Sequence, residues 1–160
     1  MLAIELAVLC LVFFGMCYAG TGGDEKNIKS YASYPAEVQA LVRENPALCG
    51  KIKTSGAAAS FVSNLVLFGV VLFLFGLPVR DASFLQNFVR LSVLGQGLNL
   101  FDFVVIDLLW WRHAPRVRFT GTQDRPELYL DPKKHFVSFL KGILVFLIVA
   151  VADGLLLTLL

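Results

Sequence analysis

The chain has 160 residues, 57% of them hydrophobic and 16% charged, with a mean hydropathy of +0.71 and a net charge of +2. Soluble domains run at about 45–50% apolar with roughly 25% charge. The apolar excess comes in blocks rather than at a helical or strand period, which excludes a large soluble core and predicts an all-α, polytopic membrane protein. Residues 1–160 then form one membrane domain with four transmembrane helices and two basic cytoplasmic connections.

The first apolar block covers about residues 2–18, near the lower limit of about 17 residues for a spanning helix. Ala19 and Gly20 follow it in the manner of a signal-peptide cleavage site, but no Lys or Arg precedes it, so a retained helix is the expectation. Glycines then loosen the chain at Gly20, Gly22 and Gly23. Pro35 precedes an apolar set at Val38, Leu41 and Val42, which predicts a short amphipathic helix over about 36–45. Its place is on the membrane surface, against the other connection, or in solvent as a linker. The second block spans about 57–77, with Thr54 and Ser55 as candidate caps and Pro78 as its stop. The third spans about 84–111 and the fourth about 136–160.

Charge sets the orientation. Lys26, Lys29, Arg43, Lys51 and Lys53 follow the first span; Arg112, Arg116, Arg118, Arg125, Lys133 and Lys134 follow the third. The turn between the second and third spans holds only Arg80 beside Asp81. The excess of basic residues places both richer connections in the cytoplasm and both termini outside, as a multi-pass protein of a plasma membrane. Trp110 and Trp111 then mark the cytoplasmic interface. The strip Arg116-Val117-Arg118-Phe119, with Arg112, suits anionic lipid headgroups, at about 1 kcal/mol per basic residue. So few basic residues, already explained by the spans, argue against a nucleic-acid partner.

The third block carries a polar stripe, Gln96, Asn99, Asp102 and Asp107, set among Leu, Val and Phe. A carboxylate in hydrocarbon is costly and marks a functional-site hypothesis. At 100° per residue the stripe covers roughly 140°, one helix face. Counted from Trp111 at 1.5 Å per residue, Asp107 lies roughly 6 Å deep, Asp102 about 13 Å and Arg90 about 31 Å. Counted from Phe136, Lys141 lies roughly 7 Å deep and Asp153 about 25 Å. These depths predict two ion pairs, Asp107 with Lys141 and Arg90 with Asp153, unless Lys141 and Arg90 snorkel to opposite interfaces. If both pairs form, the third and fourth spans face each other antiparallel. Asp102 is left without a cation and becomes the candidate binding or proton-coupling residue, with Gln96 and Asn99 lining a polar cavity. The bland alternative is interhelical hydrogen bonding by the same side chains. Gly95 and Gly97 permit a bend, or close packing against the small face of the second span at Ala57, Ala59, Ser60 and Ser63.

Other chemistry is sparse. His113 and His135 with a carboxylate such as Asp131 form a low-ranked metal candidate without ligand-type spacing. Cys10, Cys17 and Cys49 form no C-x-x-C motif, against a redox or zinc role. No phosphate loop, nucleophile elbow or H-E-x-x-H motif occurs, and no cofactor is expected. The leading expectation is a non-enzymatic membrane protein with a helix-three site for a small solute, ion or proton, acting as a homo-oligomer or as a subunit of a larger complex. The alternatives are an interfacial enzyme acting on a lipid or isoprenoid phosphate, with Arg112, Arg116 and Arg118 holding phosphate and a histidine as acid or base, and a purely structural assembly factor.

The stretch Gly95-Gln96-Gly97-Leu98-Asn99-Leu100-Phe101-Asp102, then Asp107-Leu108-Leu109-Trp110-Trp111-Arg112 and Arg118-Phe119-Thr120-Gly121-Thr122, resembles small four-span membrane proteins of bacteria. That group has no assigned activity, so the resemblance implies a bacterial membrane protein and transfers no catalytic residue.

Overall fold

The computed structural model describes residues 1–53, 56–79 and 83–160. Among the described residues every regular element is helical. Four helices are long and apolar enough to cross a membrane: Leu2–Ala19, Ala57–Gly76, Phe84–Trp111 and one ending at Leu159 that begins as a regular α-helix at Lys133. Their most apolar stretches have mean hydropathies of 2.3, 2.3, 1.4 and 2.5. The shortest, at 18 residues, is roughly 27 Å long, close to the thickness of a bilayer's hydrocarbon core. Large apolar side chains point outward along all four, among them Leu11, Val66, Leu85, Leu109 and Leu156, the inverse of a soluble protein's surface. The expected caps Thr54 and Ser55, and the turn residues Arg80 and Asp81, lie outside the described residues; Gly56 stands at the cap of the second helix, and a short 3₁₀ turn over Leu77–Val79 follows it.

Within the expected single domain the chain packs as two compact units. One takes Met1–Cys10, Ser55–Phe101 and Phe139–Leu160; the other takes Leu11–Thr54 and Asp102–Ser138. Each long helix except the second therefore changes unit along its length.

The first unit is a helical bundle held by polar side chains at close approaches. Asn99 Nδ2 donates to the Phe139 carbonyl at 3.1 Å and Gln96 Nε2 to the Ile143 carbonyl at 3.0 Å. Further along, Asn87 Nδ2 donates to Thr158 Oγ1 at 3.4 Å. Rising numbers on the third helix meet falling numbers on the fourth, so the two run antiparallel. Glycine makes these contacts short. A Cβ on Gly95 would stand 2.7 Å from the Phe146 ring, and one on Gly97 2.9 Å from Leu6. Close packing is what the two glycines do, but against the fourth and first helices rather than the small face of the second. The ion pairs also differ from the expectation. Arg90 pairs with Glu5 of the first helix, not with Asp153. Asp153 is buried, with Oδ2 lacking a hydrogen-bond partner. Lys141 is exposed and in no ion pair among the described residues, as snorkelling requires.

The second unit folds the two basic connections together, so they share one side. The predicted amphipathic helix is Ala36–Glu44, with Val38 and Val42 buried. It lies against the other connection, in a core with Tyr34, Trp111, Val117, Phe119, Leu128 and Tyr129. Tyr34 anchors that core. Its hydroxyl donates to the Val117 carbonyl at 2.9 Å, and its ring meets Trp111, Phe119 and Tyr129. Asn27 Nδ2 reaches the Arg116 carbonyl at 3.1 Å, and Asp24 Oδ1 accepts from the Thr120 amide at 2.9 Å. Trp111, expected at an interface, is instead 7% exposed inside this core, while Trp110 packs on Phe14 and Tyr18.

Candidate functional site

The third helix changes winding at Asp102. From Asp102 to Trp111 it runs as a π-helix. Its hydrogen bonds then close over five residues instead of four, so each residue turns through less than 100° and the regular wheel no longer applies. Asp102 and Asp107, five residues apart, fall one turn apart on the same face. The predicted stripe accordingly divides. Gln96 and Asn99 lie in the first unit and spend their amides on helix-four carbonyls, as interhelical glue. Asp102 and Asp107 lie in the second unit, where they meet a group that depth arithmetic missed.

That group is His135, in the first turn of the fourth helix. Its Nδ1 lies 2.8 Å from Asp107 Oδ1, and the two side chains are 6% and 13% exposed. A carboxylate accepts, so Nδ1 carries a hydrogen, and in a neutral ring the lone pair is then on Nε2. Nε2 is buried and, among the described residues, has no hydrogen-bond partner. Trp111 presents itself edge-on to the imidazole at 4.7 Å between centroids and 61° between planes. The carboxylate and the indole thus fix the ring from two sides while one nitrogen stays open. Asp102 is near enough for the charges of Asp107 and His135 to act on it, and both carboxylates act on Cys17 of the first helix. Asp107 thus pairs with an imidazole where the prediction gave it Lys141, which is in no ion pair among the described residues.

Carboxylate–histidine pairs of this form hold an imidazole in one tautomer and raise its basicity. A proton arriving at Nε2 makes an imidazolium beside a carboxylate, a stabilised pair in a water-poor setting. The signal for this in sequence is slight: a histidine at the start of a span and two aspartates spaced by five.

The remaining candidates go elsewhere. His113 is exposed, and Asp131 Oδ1 accepts from the Lys133 amide at 3.0 Å. Among the described residues, no group of three or more His, Cys, Asp or Glu side chains is disposed to hold a metal. The three candidate headgroup arginines each have a protein partner. Arg112 donates to the Leu130 carbonyl, and Arg118 Nη1 to the Gln123 carbonyl at 2.7 Å. Arg116 lies over the Tyr18 ring at 3.4 Å and donates to the Thr21 hydroxyl and carbonyl, both at 3.0 Å. Gly22, with φ at +111°, lets the backbone pass this guanidinium; a Cβ there would stand 2.9 Å from Arg116 Nη2. Of the three, Arg116 ties the two connections together, while Arg112 and Arg118 bond within the second. No family model, curated protein or solved structure matches this chain.

Proposed function

We propose that the chain is a multi-pass integral membrane protein whose His135–Asp107–Asp102 cluster exchanges a proton, in the service of moving a proton or small ion. The observation that carries this is the buried imidazole, fixed through Nδ1 by Asp107 and open at Nε2. A purely structural pair has no use for an open, buried nitrogen, which costs about 1–3 kcal/mol when left unsatisfied. The Lys and Arg excess on the two connections favours a cytoplasmic place for the cluster and termini outside. The resemblance to four-span bacterial proteins favours a bacterial plasma membrane. Four helices enclose little volume and leave broad apolar faces, which favours a homo-oligomer or a larger membrane complex over a lone channel.

Reconstitution tests the reading. Proteoliposomes enclosing a pH-sensitive dye are given a pH gradient, and proton entry is followed for the intact protein and for His135→Gln. Entry above that of empty vesicles is expected for the intact protein and its loss is expected in the variant. Equal entry in both, with the variant folded and inserted, overturns the proposal.

A further inference from the structure

A cavity of about 540 Å³ lies in the second unit, lined by Tyr31, Ala32, Gln39, Arg43, Ile52 and Lys134. Two of its six lining residues are cations and none is acidic. Neither Arg43 nor Lys134 takes part in an ion pair among the described residues, and the charge that acts on Lys134 is that of Arg43. Two like charges facing one cavity repel.

The cations are also held in place. Arg43 Nε donates to Tyr31 Oη at 2.7 Å, which ties the guanidinium to a second lining residue by its inner nitrogen. Tyr31 is itself locked, its hydroxyl donating to the Gln39 carbonyl at 3.0 Å while Gln39 Nε2 returns a bond to the Tyr31 carbonyl at 2.9 Å. Lys134 Nζ reaches the Ala32 carbonyl at 3.3 Å, leaving further hydrogens to donate. Lys133 and Lys134 open a helix of 27 residues with no acidic side chain in its first turn. Asp131, two residues ahead of Lys133, caps that helix end by accepting from the Lys133 amide at 3.0 Å.

We propose that this cavity binds a phosphate-type anion, through a two-pronged contact with Arg43 and a point charge from Lys134. Arg suits two oxygens of one phosphate and Lys suits the third. The source is either the headgroup of an anionic phospholipid, which the cavity's place at the start of a spanning helix favours, or a soluble phosphate.

Two arms distinguish the sources. The purified protein is placed in nanodiscs of phosphatidylcholine with or without phosphatidylglycerol, and lipid retained on release is counted by native mass spectrometry. Separately, inorganic phosphate is titrated against the protein in phosphatidylcholine nanodiscs by calorimetry. At least one arm shows binding, and Arg43→Gln with Lys134→Gln weakens it about tenfold, the loss of roughly 1.4 kcal/mol. Arg43→Lys, which keeps the charge and removes the fork, weakens it by less. Retained phosphatidylglycerol assigns a lipid site, and a phosphate isotherm alone assigns a soluble ligand. Binding in neither arm overturns the proposal, as does binding that a correctly folded double variant leaves unchanged.

Discussion

His135 Nδ1 and Asp107 Oδ1 stand 2.8 Å apart, joining the first turn of the fourth helix to the widened end of the third. In this pair Asp107 is a positioning residue: it chooses the tautomer and lets Nε2 do the exchange. Asp107→Asn keeps the shape but presents either a donor or an acceptor to the ring, so the tautomer is no longer imposed. In the vesicle assay this variant is expected to slow proton entry by about tenfold or more, the scale of losing a second ligand behind an active imidazole. His113→Gln, at an exposed position, should leave entry near that of the intact protein.

Glu5 and Arg90 are 22% and 19% exposed at their side chains and lie on the first and third helices. Removing one partner leaves a charge in a poorly solvated place, which costs about 3–5 kcal/mol for buried pairs, somewhat less with this residual exposure. Arg90→Met is expected to lower stability by about 2–3 kcal/mol, and adding Glu5→Gln should recover much of that. Denaturation of the four members of this cycle in detergent measures the coupling. Additive losses would show that the pair contributes nothing.

Two glycines make opposite predictions. Gly95 faces the Phe146 ring with no room for a methyl group, while a Cβ on Gly15 meets nothing within 4 Å. Gly95→Ala is expected to destabilise by about 1–3 kcal/mol through overpacking. Gly15→Ala should stabilise by about 0.5–1 kcal/mol, through helix propensity alone. Thermal unfolding of the two variants checks both signs.

The Tyr34 phenol lies 1% exposed among other rings, and burial pushes its pKa above the ordinary range. The unfolded chain loses that proton near pH 10, whereas the folded one holds it longer. The sign follows: the contribution is fully present below about pH 10 and is lost as pH rises beyond it. Alkaline titration followed by Trp111 fluorescence is expected to show the second unit loosening. Tyr34→Phe should be less stable at neutral pH, by about 1–3 kcal/mol for the orphaned Val117 carbonyl, and should have a shallower alkaline slope.

Orientation is open to direct labelling. Cys49 is exposed in the first connection and Asp124 is exposed in the second. With Cys10 and Cys17 replaced by Ser, a membrane-impermeant maleimide should label neither Cys49 nor Asp124→Cys in intact cells. It should label both after lysis. Labelling of either from outside reverses the proposed topology.

The long helices were legible because apolar runs end where prolines and charges begin, and the helix over Ala36–Glu44 because Val38, Leu41 and Val42 recur on one face. The antiparallel course of the third and fourth helices was reached by charge pairing, yet Gln96 and Asn99 produce it. Charge partners were not legible for two physical reasons. Depth counting presumes regular winding, which ends at Asp102, where the π turns begin that carry Asp107 to His135. Depth counting also ranks only residues already singled out, and Glu5 lay unremarked in the first apolar run. The core around Tyr34, Trp111, Phe119 and Tyr129 was hidden because its members come from two connections, whose pairing no local pattern records.

Nitrogen-15 magnetic resonance of His135, in nanodiscs and on a His113→Gln background, tests the central claim most directly. In the neutral ring the account predicts a hydrogen on Nδ1 and a lone pair on Nε2. It further predicts that Nε2 gains a proton as the bulk solution is acidified, with Asp102→Asn altering that response. A neutral ring with its hydrogen on Nε2, or an Nε2 resonance indifferent to bulk pH, would contradict it.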